Sequence, residues 1–289
     1  MSLSSNGAVS HRNALLYVFY GSPSTCANRL RIYRDLNPGL RLFGICTDAE
    51  NKTRYSKAHG ILDDLWFLEG REPKWCWHNL DKVVCKWFLE KGCGLDFSRI
   101  LVVDWDVLLL GTVENWLEQA GPNEVKFIEV AENLRPEENH WTSLEEFEDY
   151  KRLCEKSNFQ RLGLFNGILF AYTCHKEAFH KFASAVCDSP GYCEYRLPSI
   201  IYNTGLEISN LEKPSNWYQF ANVNGISIAK SVIQQEHGRA GGFQLFHPVY
   251  EPYRNANLDL SLIEFLREGS LVKTISRKLK NLVRKLRGG

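Results

Sequence analysis

The chain has 289 residues, of which 44% are hydrophobic and 24% are charged. This composition is typical of a globular protein with a full core and excludes a disordered, collagen-like or low-complexity chain. The formal net charge of +1 is unevenly distributed, because residues 267–289 contain eight basic residues and one acid while the first 266 residues are net acidic. A net acidic body lacks the basic face that nucleic-acid binding requires, so no nucleic-acid partner is expected.

Short apolar runs alternate with amphipathic segments along the chain. The first half predicts strands at Ala14–Tyr20, Arg41–Cys46, Asp64–Leu68 and Ile100–Val103, with a helix up to Asp35 and another over Asn79–Lys91. The second half predicts strands at Val125–Val130, Phe165–Tyr172 and Phe243–His247, a helix at His175–Val186 and a charged surface segment at Glu132–Gly163. Strands separated by helices indicate βαβ units, so we expect the α/β class with a mostly parallel sheet flanked by helices.

The chain shows no linker and no internal repeat. We therefore expect a flexible N-terminus over residues 1–13, a single domain over residues 14–266 and a basic tail over residues 267–289. Nine cysteines, an odd number without any C-x-x-C, argue against a disulfide framework or a zinc ribbon and favour a reducing compartment. Cys46, Cys85 and Cys187 lie in apolar runs and are predicted to be buried thiols. Because the N-terminus has no apolar signal core and no run approaches the length of a membrane span, a cytoplasmic location is expected.

Two carboxylates follow the most apolar predicted strand. Asp104-Trp105-Asp106 comes directly after Ile100–Val103 and before a second apolar run, Val107–Leu110. Two such carboxylates are costly to bury without a cation or hydrogen bonds, and Mg²⁺ and Mn²⁺ prefer carboxylate oxygens. We therefore predict that Asp104 and Asp106 bind a divalent metal, the alternative being a simple turn at the strand end. Ligand sites of parallel sheets lie at the carboxyl ends of the strands, where Gly21 and Asp48 are also predicted to lie.

The order of these segments resembles the GT-A glycosyltransferases. The resemblance covers about residues 14–250 and rests on the strand–helix–strand from Ala14 and on three segments, RILVVDWDVLL, LFNGILFAY and FQLFHPVY. It implies a nucleotide-binding half over residues 14–131 and an acceptor half over residues 132–266. It also implies transfer of a sugar from a nucleotide-sugar, with a UDP-sugar as first choice and GDP second, to a saccharide or lipid-linked acceptor, with Mn²⁺ or Mg²⁺ at the D-x-D.

The same resemblance implies roles for individual residues. Donor binding would fall to Phe19, Tyr20, Gly21, Asp48, Trp77, Asn79, Asp81, Asp104 and Trp105. Asp48 could instead cap a helix, and the residues from Trp77 to Asp81 could instead serve helix capping and core packing. Asn166 and Gly167 would lie beside the transferred sugar and the acceptor, and His247 would complete the metal site.

An inverting transferase needs a carboxylate to deprotonate the acceptor hydroxyl. Glu194, in a segment that resembles an acceptor-side segment of the family, is the first candidate for this base, and Asp188 is the second. A retaining enzyme would need neither, and the sequence leaves the stereochemistry open.

The basic tail has the pattern of an interfacial helix. In residues 269–289, apolar side chains at spacings of three and four form one face, and seven basic residues cover the rest. This pattern predicts a helix lying peripherally on an anionic membrane; a helix docked on the body or on a protein partner is the alternative.

Three other classes of protein stay open. A Rossmann dehydrogenase is disfavoured because no G-x-G-x-x-G follows the first strand, and a sugar nucleotidyltransferase because no Gly-rich basic loop opens the domain. A non-enzymatic membrane adaptor would explain the tail but not the aspartate pair.

Overall fold

A computed structural model describes residues 13–132, 148, 152, 155, 163–212, 217–219, 228, 233–234 and 244–253. The flexible N-terminus was predicted one residue too long, because Asn13 already belongs to the first strand. Residues 1–12, most of the charged segment after Glu132 and the whole basic tail lie outside the described residues, and their structure stays a prediction.

The elements follow one another as alternating strands and helices through the first half. The strands are β1 (Asn13–Phe19), β2 (Arg41–Cys46), β3 (Asp64–Phe67), β4 (Arg99–Asp104), β5 (Leu108–Leu110), β6 (Glu124–Phe127), β7 (Val130–Glu132), β8 (Phe165–Gly167), β9 (Ala171–His175), β10 (Glu207–Asn210), β11 (Trp217–Gln219) and β12 (Gln244–His247). The helices are α1 (Pro23–Leu36), α2 (Ser56–His59), α3 (Pro73–His78), α4 (Leu80–Glu90), α5 (Glu114–Gln119), α6 (Lys176–Asp188) and α7 (Cys193–Asn203), with 3₁₀ helices at Ala49–Tyr55 and Gly92–Gly94.

The main sheet has seven strands in the order β10-β6-β9-β4-β1-β2-β3. Only β9 runs antiparallel to its neighbours, β4 and β6, and the other pairings are parallel. This confirms the prediction of a mostly parallel α/β sheet flanked by helices. Two small sheets accompany it, one with the order β11-β12-β5 and one made of β7 and β8.

The central strands are buried on both faces, as expected for a parallel sheet covered by helices. Alternate residues of β1 divide between two cores: Leu16 and Val18 pack with α4, α6 and α7, whereas Leu15 and Tyr17 pack with α1 and β5. Phe88 of α4 meets a phenylalanine of α6 with ring centroids 4.5 Å apart. Full burial of each such side chain stabilises the fold by about 1.5–3 kcal/mol.

The predicted strand Phe165–Tyr172 is wrong as a single strand. It forms β8 and β9, which belong to different sheets. Between them the backbone changes partner, since the Ile168 N–H donates to the Glu129 carbonyl while the Phe170 carbonyl accepts from the Asp104 N–H. The run contains no proline or polar turn residue after Gly167, so its apolar pattern conceals this break.

The cysteines in the described ranges are free thiols. Cys46 and Cys85 are buried as predicted, but Cys187 is only half-buried because it lies near the end of α6. Among the described residues, no helix combines the length and the apolar character needed to cross a bilayer.

Candidate functional site

Several predicted site residues meet at one edge of the main sheet. Because β1, β2 and β4 are parallel, their carboxyl ends lie together, and they are followed by Gly21, Asp48 and Trp105 respectively. Strand β9 runs the opposite way and begins at this edge, where Ala171 pairs with Val103. The fold therefore brings the aspartate pair, the loop after β1 and the segment before β9 to one place.

The small sheet carries His247 to the aspartate pair. Phe246 of β12 pairs with Leu108 of β5, directly after the D-x-D, and the Val249 N–H donates to the Asp106 carbonyl at 2.6 Å. The His247 Nε2 atom consequently lies 3.4 Å from Asp106 Oδ1. The imidazole also stacks on the Phe170 ring, with centroids 3.9 Å apart and an interplanar angle of 14°.

The negative charges of Asp104 and Asp106 repel each other in a largely buried position. Burial, followed by the charge of Asp106, raises the pKa of Asp104 well above its ordinary value, although the Trp105 N–H donates to Asp104 Oδ1 at 2.7 Å. Asp106 is 9% exposed, and its Oδ1 has no hydrogen-bond partner among the described residues. The Nδ1 atom of His247 is likewise buried without a hydrogen bond within that part of the chain.

The ligand atoms of these three side chains are of the type that binds a hard divalent cation. Carboxylate oxygens and an imidazole nitrogen are ligands that Mn²⁺ accepts, and a cation would satisfy the orphaned Asp106 oxygen and neutralise the pair. Within the described ranges, no cluster of three or more His, Cys, Asp or Glu side chains is already arranged as a metal cage. The metal assignment of Asp104, Asp106 and His247 therefore stays a prediction.

Aromatic rings surround the middle residue of the D-x-D. Trp105 stacks on Tyr250 with centroids 5.4 Å apart and lies tilted against Tyr20 at 5.5 Å. Its carbonyl accepts a hydrogen bond from the Tyr17 hydroxyl at 2.8 Å. Gly21 lies under the indole ring, where a Cβ atom would come within 2.1 Å of Trp105 Cε3. The position after β1 therefore requires glycine for close packing against Trp105.

The close approach at Gly21 gives a testable consequence. We expect Gly21→Ala to destabilise the protein by about 1–3 kcal/mol, because the clamped indole cannot move away without losing its contacts. Gly39→Ala is the matched control, since a Cβ there meets nothing within 4 Å. Urea unfolding followed by tryptophan fluorescence compares the two variants, and equal midpoints for both would contradict this packing role.

Two of the predicted donor-binding residues, Asp48 and Phe19, have different surroundings. Asp48 Oδ1 accepts from Asn51 Nδ2 at 2.8 Å and Oδ2 accepts from the Tyr55 hydroxyl at 3.0 Å. Asp48 precedes the 3₁₀ helix, but its side chain accepts no backbone capping bond, contrary to the capping alternative. Phe19 is fully buried and packs on Tyr55, so its side chain belongs to the core beneath the edge.

Glu194 lies in the first turn of α7 and is half-buried. Burial raises the pKa of Glu194 to about 7, and the charge of His247 partly opposes this effect. No hydrogen bond links its carboxylate to the described residues. Asp188, the second candidate base, ends α6 with an exposed side chain whose charge acts on Lys82.

A buried ion pair that the sequence analysis missed holds the start of α7. Arg196 donates from Nε to Asp81 Oδ2 at 2.8 Å and from Nη2 to Oδ1 at 2.5 Å, with side-chain exposures of 1% and 0%. The guanidinium also donates to Asn79 Oδ1 at 3.2 Å and to the Gly191 carbonyl. Asn79 and Asp81, predicted to bind the donor, are thus engaged by Arg196, and their donor role stays a prediction. An arginine inside the apolar segment Glu194–Ile201 was the available signal.

The acceptor candidates lie against the same helix. Asn166 of β8 pairs with Ala131 of β7, and its buried Oδ1 has no hydrogen bond within the described residues. A Cβ on Gly167 would lie 3.4 Å from Pro198 Cγ, which is an ordinary contact, so packing alone does not demand glycine. The Phe165 N–H donates to a serine hydroxyl of α7 at 2.8 Å and attaches β8 to that helix.

Comparison with known proteins yields similarity in structure alone. No family model matches the chain, and no curated protein matches it in sequence. A structure of galactosyltransferase LgtC with donor and acceptor sugar analogues is 9% identical, has a TM-score of 0.43 and covers 89% of this chain and 95% of its own. Apo mouse xyloside xylosyltransferase 1 is 11% identical, has a TM-score of 0.38 and covers 86% of this chain and 99% of its own. Similarity this low carries no conclusion about the chain's activity.

Proposed function

We propose that the chain is a metal-dependent glycosyltransferase, which moves a sugar from a nucleoside diphosphate-sugar to a hydroxyl of a saccharide or lipid-linked acceptor. The observation that supports the proposal is the approach of His247 to Asp106, beside Asp104 at the carboxyl edge of a parallel sheet, where one buried Asp106 oxygen has no hydrogen bond within the described residues. Glu194 lies within electrostatic range of the same group. This arrangement supports a diphosphate site with a general base close to it.

Bound Mn²⁺ or Mg²⁺ would be held by Asp104, Asp106 and His247 and would act as a Lewis acid toward the negative charge that grows on the diphosphate leaving group. The protein's own part is to keep these ligands in place. The Phe170 ring fixes the plane of the imidazole, and the Val249 N–H fixes the Asp106 backbone. Such preorganisation removes the cost of aligning the ligands during the reaction.

Donor binding and proton removal fall to different parts of the edge. The half-buried Tyr20 ring, which packs on Trp105 next to the aspartate pair, is of the kind that stacks on a nucleotide base. Glu194 would accept the proton of the acceptor hydroxyl. At the same time the hydroxyl oxygen would bond to the anomeric carbon of the donor sugar, and the bond from that carbon to the diphosphate would break. UDP is our first choice of nucleotide, and it rests on the family resemblance alone.

The proposal is tested by loss of metal-dependent nucleotide binding. We expect Asp106→Asn to weaken Mn²⁺-dependent UDP binding by at least about 100-fold, because one of the proposed carboxylate ligands of the metal is lost. Calorimetry with UDP, GDP and CMP, each with Mn²⁺ or EDTA, measures this effect. Asp35→Asn, an exposed aspartate on α1, is the control.

A screen for hydrolysis of nucleotide-sugars in the presence of Mn²⁺ then identifies the donor. Wild-type protein that binds no nucleoside diphosphate with Mn²⁺ would refute the glycosyltransferase. Release of pyrophosphate from a nucleoside triphosphate would indicate a nucleotidyltransferase, and stabilisation by NAD alone would indicate a dehydrogenase.

We also propose that the basic tail holds this activity peripherally on the cytoplasmic face of an anionic membrane. The support is the sequence pattern of residues 269–289, in which seven basic residues flank one apolar face. Each basic residue near an anionic leaflet contributes about 1 kcal/mol. Such an attachment would suit an acceptor that is lipid-linked.

A further inference from the structure

An exposed tryptophan lies beside the helix that carries Glu194. Trp77, in α3, is 39% exposed, and in the described part of the chain only Leu89 shares this status among large apolar side chains. The indole makes edge contacts with His78 at 4.8 Å and with Tyr192 at 6.4 Å, measured between ring centroids. His78 and Tyr192 in turn lie 5.4 Å apart. We call these three residues the Trp77 face.

The Trp77 face is attached to the first turn of α7. The Cys193 thiol donates to the Trp77 carbonyl at 3.6 Å, which fixes the end of α3 against the start of that helix. Tyr192 is the residue before α7, and Glu194 is the second residue within it. Burial, then the charges of Cys193 and Glu194, raise the pKa of Tyr192, so the phenol lies in the field of the Glu194 carboxylate.

Neighbouring side chains connect the Trp77 face with the aspartate–histidine site. Trp77 contacts Tyr192, Tyr192 lies close to Glu194, and Glu194 lies in the field of His247, which is beside Asp106. The Trp77 face therefore lies beside the turn of α7 that carries Glu194. A molecule that gives its hydroxyl proton to Glu194 would have the remainder of its structure within reach of Trp77.

We propose that the Trp77 face is a stacking site for the acceptor saccharide, an inference that rests on the proposed glycosyltransferase activity. The C–H groups on one side of a pyranose ring form an apolar surface, and they carry partial positive charge that the electron-rich indole attracts. The neighbouring His78 ring adds polar nitrogen atoms at the rim of this surface. Small-ligand sites are typically apolar or aromatic surfaces with a few polar groups at the edge.

The test measures saccharide binding separately from nucleotide binding. A glycan array is probed with the full-length protein in UDP and Mn²⁺, and the Kd of the strongest saccharide is measured by calorimetry for the wild type and three variants. We expect Trp77→Ala to weaken saccharide binding at least tenfold and Trp77→Phe to weaken it less, because the smaller ring keeps part of the stacking area. Leu89→Ala, the matched exposed position on α4, should leave the Kd unchanged.

Each alternative result has a distinct meaning. An array on which the wild type binds no saccharide, or a Kd that Trp77→Ala leaves unchanged, overturns the proposed site. If Trp77→Ala instead weakens binding of the nucleotide-sugar more than that of UDP and leaves the saccharide Kd intact, the ring contacts the donor sugar and the acceptor assignment is wrong. Saccharide binding that depends on Trp77 in a protein without UDP binding would keep the site and refute the glycosyltransferase.

Discussion

Replacing Glu194 with glutamine is expected to lower the rate of sugar transfer by about 10²–10⁴-fold, which is the usual contribution of a general base. The amide keeps the size of the side chain but cannot accept the proton of the acceptor hydroxyl. Mn²⁺-dependent UDP binding should be unchanged, because Glu194 lies outside the group formed by Asp104, Asp106 and His247. A variant that keeps wild-type transfer would eliminate Glu194 as the base.

The pH dependence provides an independent check on this role. Burial raises the pKa of Glu194 to about 7, with His247 of β12 and Tyr192 before α7 as the neighbouring titratable groups. The base works only when it is ionised, so kcat/KM should rise as pH increases through about 7. Glu194→Gln should lose this limb of the profile. A base of this kind also requires inversion at the anomeric carbon, and NMR of the initial product would contradict it by showing retention.

Arg196→Met is expected to destabilise the protein by about 3–5 kcal/mol, because it leaves the Asp81 carboxylate buried without its cation. Both side chains are almost fully excluded from solvent, and two hydrogen bonds join them. The loss of the guanidinium also removes the hydrogen bonds that Arg196 donates to Asn79 Oδ1 and to the Gly191 carbonyl. Chemical denaturation measures the change in unfolding free energy.

An exposed ion pair on α4, the helix that contains Asp81, supplies the control for Arg196. Lys86 and Glu90 of α4 are 3.7 Å apart and about half exposed, so Lys86→Met should change stability by less than about 0.5 kcal/mol. The double variant Arg196→Met with Asp81→Leu should recover much of the loss, since neither charge is then left unpaired. If Arg196→Met is as mild as Lys86→Met, the ion pair does not hold α7 in place.

The regular part of the fold could be predicted because its signal is local. Arg41–Cys46 was predicted at its observed bounds, and the other strands of the first half lie within about a residue of theirs. Each is a short, mainly apolar run with an aspartate or glycine at its end or within three residues after it. The division of Phe165–Tyr172 into two strands could not be predicted from the sequence. The break arises because the two halves pair with segments that are distant in sequence, and the local composition does not change there.

Only part of the candidate site could be predicted from the sequence. Asp104 and Asp106 stood out because two carboxylates directly follow a buried strand, and the structure brings His247 and Glu194 toward them. The contacts of Arg196 and Phe170 were not foreseen, and Trp77 was predicted only as a donor-binding residue. Their partners lie on other elements, 115 residues away in the case of Arg196 and Asp81, and no periodic pattern encodes such a contact.

The attachment of the last described segment to α1 determines when during synthesis the site can be completed. The buried Arg29 guanidinium donates to the Val249 carbonyl, and the Asn28 side chain exchanges two hydrogen bonds with the Tyr253 backbone. Arg29 and Val249 are 220 residues apart in sequence. At translation rates of about 5–20 residues per second, α1 therefore waits about 10–45 s for the segment that covers it. Until then the aspartate pair lacks His247, so the nascent chain contains every strand of the main sheet, the last of which ends at Asn210, before it contains the third proposed metal ligand.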